Sequence, residues 1–193
     1  DLHYPLRRQR QMCIRDRDWS EFPSFRNSKN WTKTFNGSDN DWSPNNTVTE
    51  IKLQRDFGEN NKNIESFEGT FKNNNKLTTI ENLDLNMPKC TSFKELFRFC
   101  PSLKTVNLNN IHSEKPVNCN SMFYNCNSLS GTLDLTGIEN FYDMSYMFST
   151  ANKIKTLKFK KGALNFTGKQ YLNNLYSPIN SVFNEMHSVE NIE

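Results

Sequence analysis

The sequence predicts an α/β solenoid of short helix-turn-strand units with a parallel sheet on its concave face. Three observations carry that expectation. Phenylalanine anchors recur at Phe71, Phe97, Phe123, Phe148 and Phe183, spaced 26, 26, 25 and 35 residues apart. Around each anchor, apolar residues tend to fall at i, i+3, i+4 and i+7, as in Phe93, Leu96, Phe97 and Cys100, which is one stripe of a short helix. Beyond each stripe the period drops to two, in IENLDL (80–85), LKTVNL (103–108), GTLDL (131–135) and IKTLKF (154–159), as in a half-buried strand. VTEIKL (48–53) has the same form.

The copies read FKELFRFCPSL (93–103), CNSMFYNCNSL (119–129) and MSYMFSTANKI (144–154), with weaker ones in FEGTFKNNNKL (67–77) and INSVFNEMHSV (179–189). A stripe of roughly eight residues is too short to hold as an isolated helix, so it must lean on neighbours. One unit cannot bury its apolar face, whereas stacked copies bury each other's. Three of the four intervals match the period of a leucine-rich-repeat solenoid. The fourth, from 148 to 183, holds KKGALNFTGKQYLNNLYSP and reads as a surface insertion.

The segment MFYNCNSLSGTLDLTGIENFYDMSYMF (122–148) resembles the BspA-type leucine-rich repeat of bacterial surface proteins. In that type a Met-Phe is followed by Cys, Ser-Leu and Leu-Asp-Leu, and a Met-Ser-x-Met-Phe opens the next copy. The resemblance covers roughly 64–193 and is strongest at 90–160. The extra Gly131, the long fourth interval and Thr70 in the first copy depart from the pattern. The resemblance implies a non-enzymatic protein that is exposed at the cell surface or secreted.

Upstream of the repeats the chain divides in two. Residues 1–17, DLHYPLRRQRQMCIRDR, hold five arginines and two aspartates, which is the whole of the +3 net charge; the remainder carries 19 basic and 19 acidic residues. RQMCIRDR resembles translated sequencing-adapter read-through, so this basic arm is set aside as non-native; a disordered native arm is the alternative. Residues 18–63 hold all three tryptophans and no apolar stripe, and they resemble a segment that caps the first strand of a repeat array, whose edge needs cover. Residues 64–193 are the four to five repeats, and MHSVENIE stops within one of them, so the chain reads as a fragment of a longer array. The hydrophobic fraction of 35% suits a thin repetitive architecture, and 12% aromatic residues argue against disorder. No apolar run is long enough to span a membrane and no secretory signal is visible.

Chemistry-bearing motifs are scarce. Cys100 and Cys126 share a slot that other copies fill with Asn74, Ala151 and Met186, so they read as small hydrophobes. Cys119, in the stripe, reads likewise, and Cys90 is expected to be the exposed thiol. No C-x-x-C or H-E-x-x-H occurs, and His3, His112 and His187 are scattered, so no metal site is expected. Asp39, Asp41, Ser43 and Glu50 fit a calcium-loop spacing, but Pro44 stands where the loop requires glycine. There is no nucleophile elbow, phosphate loop or paired carboxylate at a recognisable cleft, so neither catalysis nor a cofactor is expected. Asn30, Asn36, Asn45 and Asn165 begin N-x-S/T sequons, as an Asn-rich chain produces by accident.

What remains is surface. The polar residue between two apolar ones in each strand gives a row on the concave face, Lys52, Asp84, Asn107, Asp134 and Lys158, with a second column at Asn82, Thr105, Thr132 and Thr156. Its mixed charge and amide character suits a protein or glycan ligand, whereas nucleic acid would want a basic stripe. The functional expectation is a non-enzymatic recognition or adhesion module. The alternatives are a structural spacer carrying another domain, or the repeat part of a larger enzyme.

Overall fold

The computed structural model describes residues 12–13, 49–52, 62–108, 110–164 and 181–193. Most of the Trp-rich cap, Asp39, Asp41 and Ser43 of the calcium spacing, the four sequons and residues 165–180 of the long fourth interval lie outside them. Eight strands are present in the order β1 (Met12–Cys13), β2 (Glu50–Lys52), β3 (Thr79–Glu81), β4 (Val117–Asn118), β5 (Ser130–Leu135), β6 (Phe141–Asp143), β7 (Lys153–Phe159) and β8 (Asn191–Ile192). They form three small parallel sheets, β1-β2-β3, β4-β6 and β5-β7-β8. β1 falls inside the basic arm and pairs Met12 with Ile51 and Cys13 with Lys52.

The expected α/β leucine-rich-repeat solenoid is corrected by this architecture, because the described residues contain no helix. The segments read as helical are consecutive turns at 68–73, 94–99, 120–125, 145–150 and 181–185. Left-handed backbone is the reason. In every copy the residues two before and two after the anchor have positive φ: Gly69 and Asn73, Glu95 and Phe99, Ser121 and Asn125, Tyr146 and Thr150, Ser181 and Glu185. Such residues cannot continue a right-handed helix. They turn alternate N–H groups away from the segment and towards the next copy, so that Gly69 donates to Lys94 O, Glu95 to Asn120 O, Ser121 to Ser145 O and Thr150 to Asn184 O at 2.9 Å each. Between them, i to i+3 bonds close the turns, as from Arg98 N to Glu95 O (3.0 Å) and Tyr124 N to Ser121 O (3.1 Å).

The apolar spacing survives without the helix, because two successive tight turns return side chains to one side at nearly the same interval. Phe93, Leu96, Phe97 and Cys100 are all fully buried. The anchors lie in one stack, with ring centroids 5.6 Å apart for Phe71–Phe97, 5.4 Å for Phe97–Phe123, 5.8 Å for Phe123–Phe148 and 6.1 Å for Phe148–Phe183, and the rings are nearly parallel. Each anchor N–H bonds to the carbonyl just before the next anchor, Phe97 to Met122 at 2.9 Å and Phe123 to Met147 at 2.8 Å. Burying a phenylalanine stabilises by about 1.5–3 kcal/mol, and aromatic pairing adds about 0.5–1.5 kcal/mol. Phe183, at the end of the stack, stays 45% exposed.

Two glycines are required by their geometry. Gly131 adopts φ 84 where the β5–β7 register shifts. A side chain on Gly137 would lie 1.6 Å from Ile111 O, where Ser113 bridges Ile138 and Asn86 bridges His112.

Candidate functional surfaces

The expected row is only partly assembled. β5 and β7 set Asp134 directly beside Lys158, and Thr132 directly beside Thr156. β2 and β3, however, set Lys52 beside Glu81, not beside Asp84. Asp84 sits three residues further on, leading into the Asn86–His112 bridge, so it leaves the row. Asn82 leaves the second column too: it follows β3 with φ 58, and Thr79 of β3 takes its place. Lys104 N bonds to Thr78 O (3.1 Å) and Ser130 N to Lys104 O (3.2 Å). The exposed residues Thr105 and Asn107 thus lie between β3 and β5, with Thr105 level with Thr79. The threonines thus fall into two neighbouring pairs, Thr79 with Thr105 and Thr132 with Thr156.

Much of the charge here is already committed. Asp134 Oδ1 accepts from Thr136 Oγ1 (2.6 Å) and Thr136 N (3.0 Å). These bonds, with the Lys158 charge a smaller contributor, hold its carboxyl below the usual range. Asp84 Oδ1 caps Asn86 N in the same way at 2.9 Å. Lys158 pairs with Glu193 (2.7 Å), Lys155 with Glu190 (2.5 Å), and Lys160 with Glu139. Such exposed pairs contribute about 0–1 kcal/mol each.

The turns build a second face. In successive copies the residue five before the anchor caps the N–H two residues on: Ser92 Oγ for Lys94 (3.3 Å), Asn118 Oδ1 for Asn120 (2.8 Å) and Asp143 Oδ1 for Ser145 (2.8 Å). In the earlier copies this face is ionic. Glu95 bonds to Lys72 Nζ (2.7 Å) and Arg98 Nη1 (2.5 Å), and Lys94 pairs with Glu68 (3.0 Å). Burial raises the Glu95 carboxyl, but the Lys72 bond and the nearby charges of Arg98, Lys72 and Lys94 outweigh it and leave it below the usual range. The Arg98 guanidinium lies 4.9 Å from the centre of the Phe99 ring and 5.5 Å from that of Tyr124.

All of this chemistry was hidden by the helical reading, and only the recurring short polar residue before each turn signals it. A family model described as "Mycoplasma protein of unknown function, DUF285" matches residues 45–160, more than half of the chain and the span from Lys52 to Lys158. The chain belongs to the DUF285 family. No curated protein and no solved structure matches it.

Four cysteines of this DUF285 chain, all within the repeats, are inward. Cys90, expected to be exposed, is fully buried, as are Cys100, Cys119 and Cys126, and all four are free. Burial pushes the thiols of Cys90 and Cys100 up to about 12 and those of Cys119 and Cys126 well above the ordinary value. The shared slot also supplies a donor: Cys100 Sγ reaches Phe71 O at 3.0 Å and Cys126 Sγ reaches Phe97 O at 3.1 Å. Asn74 occupies the slot in the first copy and donates to Phe71 O (2.7 Å). Among the described residues no cluster of three or more His, Cys, Asp or Glu side chains is placed to hold a metal, and no helix is long and apolar enough to cross a membrane.

Proposed function

We propose that this DUF285 protein is a non-enzymatic recognition module, exposed at a cell surface or secreted, that takes a protein or glycan ligand across its repeats. One observation carries the reading: side chains of one kind recur at the same place in neighbouring copies, as in the directly paired Thr132 and Thr156, on a backbone held by hydrogen bonds from copy to copy. Threonine has few rotamers to lose, so an extended ligand would meet a pre-ordered surface at low entropic cost. The sequence resemblance to BspA-type surface repeats supports the location.

A structural spacer is the second reading, favoured by the ion pairs that join neighbouring copies at Lys155–Glu190 and Lys158–Glu193. Surface-immobilised protein exposed to a panel of matrix proteins and oligosaccharides separates the two. A recognition module gives saturable binding to at least one member, and a spacer gives none.

A further inference from the structure

We infer that the turn face of the third and fourth copies is a glycan-binding surface for neutral hexopyranose chains, centred on Tyr142, Tyr146, Asn118, Asn120 and Asp143. The inference rests on the recognition reading but places the ligand on a different face from the threonine pairs.

The two tyrosines are the exposed large hydrophobics of this face, at 39% and 38%. Tyr142 projects from β6 between the buried Phe141 and the half-buried Asp143. Tyr146 stands four residues on, in the turn, with φ 57. Four residues can separate their Cα atoms by at most about 14 Å, within the reach of a short oligosaccharide. A tyrosine ring offers a flat, weakly polar platform with only two torsions to fix, which suits the C–H face of a pyranose.

Beside the rings runs a polar chain across two copies. Asn118 Nδ2 donates to Tyr142 Oη (3.3 Å), Asn120 Nδ2 donates to Asp143 Oδ2 (3.3 Å), and Ser121 Oγ donates to Asn120 Oδ1 (2.8 Å). Asn118, Asn120 and Asp143 are half-buried, so each still meets solvent. These bonds fix the groups without exhausting them. Each amide nitrogen has a second proton, and a carboxylate offers about four lone-pair sites. Adjacent donors and acceptors on fixed side chains match a sugar's vicinal hydroxyls, each of which both donates and accepts. The named groups carry one negative charge and no cation, so a phosphate or sulfate chain is the wrong ligand. The backbone beneath is held from copy to copy, with Ser121 N to Ser145 O at 2.9 Å and Phe123 N to Met147 O at 2.8 Å, so ligand binding orders little.

The test is titration of the full chain with maltohexaose, cellohexaose, laminarihexaose and mannohexaose, and with a heparin hexasaccharide as the sulfated comparison, followed by amide NMR shifts and calorimetry. At least one neutral hexasaccharide should bind saturably and shift the amides of 118–120 and 142–146. Tyr142→Ala and Tyr146→Asn should each weaken it about tenfold, the loss typical of a central interface aromatic. Asparagine is chosen at 146 because it tolerates left-handed φ, and an unchanged melting temperature verifies the fold. Lys104→Ala and Lys153→Ala, exposed on the sheet face and level with Ser130, should leave binding unchanged. The inference is overturned if no neutral hexasaccharide binds, if only heparin binds, or if the sheet-face variants lose binding while the tyrosine variants keep it. In that last case, or if a matrix protein binds and no sugar does, the recognition reading stands without it.

Discussion

The sheet face and the turn face have the same copies beneath them, yet they hold their side chains by different means. On the sheet face, extended backbone sets neighbours such as Asp134 and Lys158 side by side, and long charged side chains reach across the gap to pair. On the turn face, left-handed residues flank every anchor, and short side chains cap the turns from within. A residue on the sheet face is placed by its strand and is free to vary in chemistry. Its counterpart on the turn face also helps to hold the turn, so its chemistry and its backbone are tied together. Even so, the turn face changes character along the stack, from ionic at Lys94 and Glu95 to amide and aromatic at Asn120 and Tyr146.

The largest expected effect comes from the stack beneath the turns. Phe97→Ala removes a fully buried ring with a stacked neighbour on both sides, and we expect a loss of about 3–5 kcal/mol. Phe183→Ala, at a ring 45% exposed and stacked on Phe148, should cost no more than about 1 kcal/mol. Urea denaturation of the two variants checks the ratio, and equal losses would show that the stack is not the main support of the turns.

Next comes the Glu95 clasp, which ties the first two copies together through Lys72 and holds Arg98 of its own copy. Glu95→Gln should cost about 1–3 kcal/mol, because both cations lose a charged acceptor and Lys72 is largely buried. The carboxyl is held below its ordinary value in the folded chain, so its contribution is fully present above the unfolded value of about 4.3 and is lost as pH falls through the lower folded value. Melting curves between neutral and acid pH should therefore converge for wild type and Glu95→Gln at low pH. A constant gap would assign the effect to packing.

How far this was legible follows from the same contrast. The buried set could be read, because burial depends on spacing: Phe93, Phe97 and Leu103 are inward whether the backbone is a helix or a pair of turns. The backbone could not. A helix and two successive tight turns give nearly the same apolar period, and the residues that decide between them are Glu95, Phe99, Tyr146 and Thr150, none of which favours left-handed φ by itself. Only Gly69, Asn73 and Asn125 carried a local signal. On the sheet face, Asp134 and Lys158 could be matched because both lie between inward apolar residues on strands. Asp84 was misplaced because Asn82, with φ 58, shifts the chain after β3, and Leu83 and Leu85 look alike on either side of that kink.

The smallest effect expected is a gain, and it tests whether the turn face stores strain that the sheet face does not. Thr150 is β-branched with φ 65, and its Oγ1 is buried with no hydrogen-bond partner. Left-handed backbone costs an L-residue about 1–2 kcal/mol, and an unmatched buried hydroxyl adds to that. Its N–H still makes the bond to Asn184 O at 2.9 Å, and a glycine there would keep that bond. Thr150→Gly relieves both costs and gives back about 0.5–1 kcal/mol through the greater freedom of the unfolded chain, so a net stabilisation of about 1 kcal/mol is expected. Thr132→Gly, in the extended β5, has no strain to relieve and should destabilise by about 0.5–1 kcal/mol. Opposite signs for one substitution on the two faces, read as shifts in melting temperature, would locate the strain in the left-handed turns; the same sign at both would mean that the copy-to-copy hydrogen bonds, rather than φ, set the energy of this backbone.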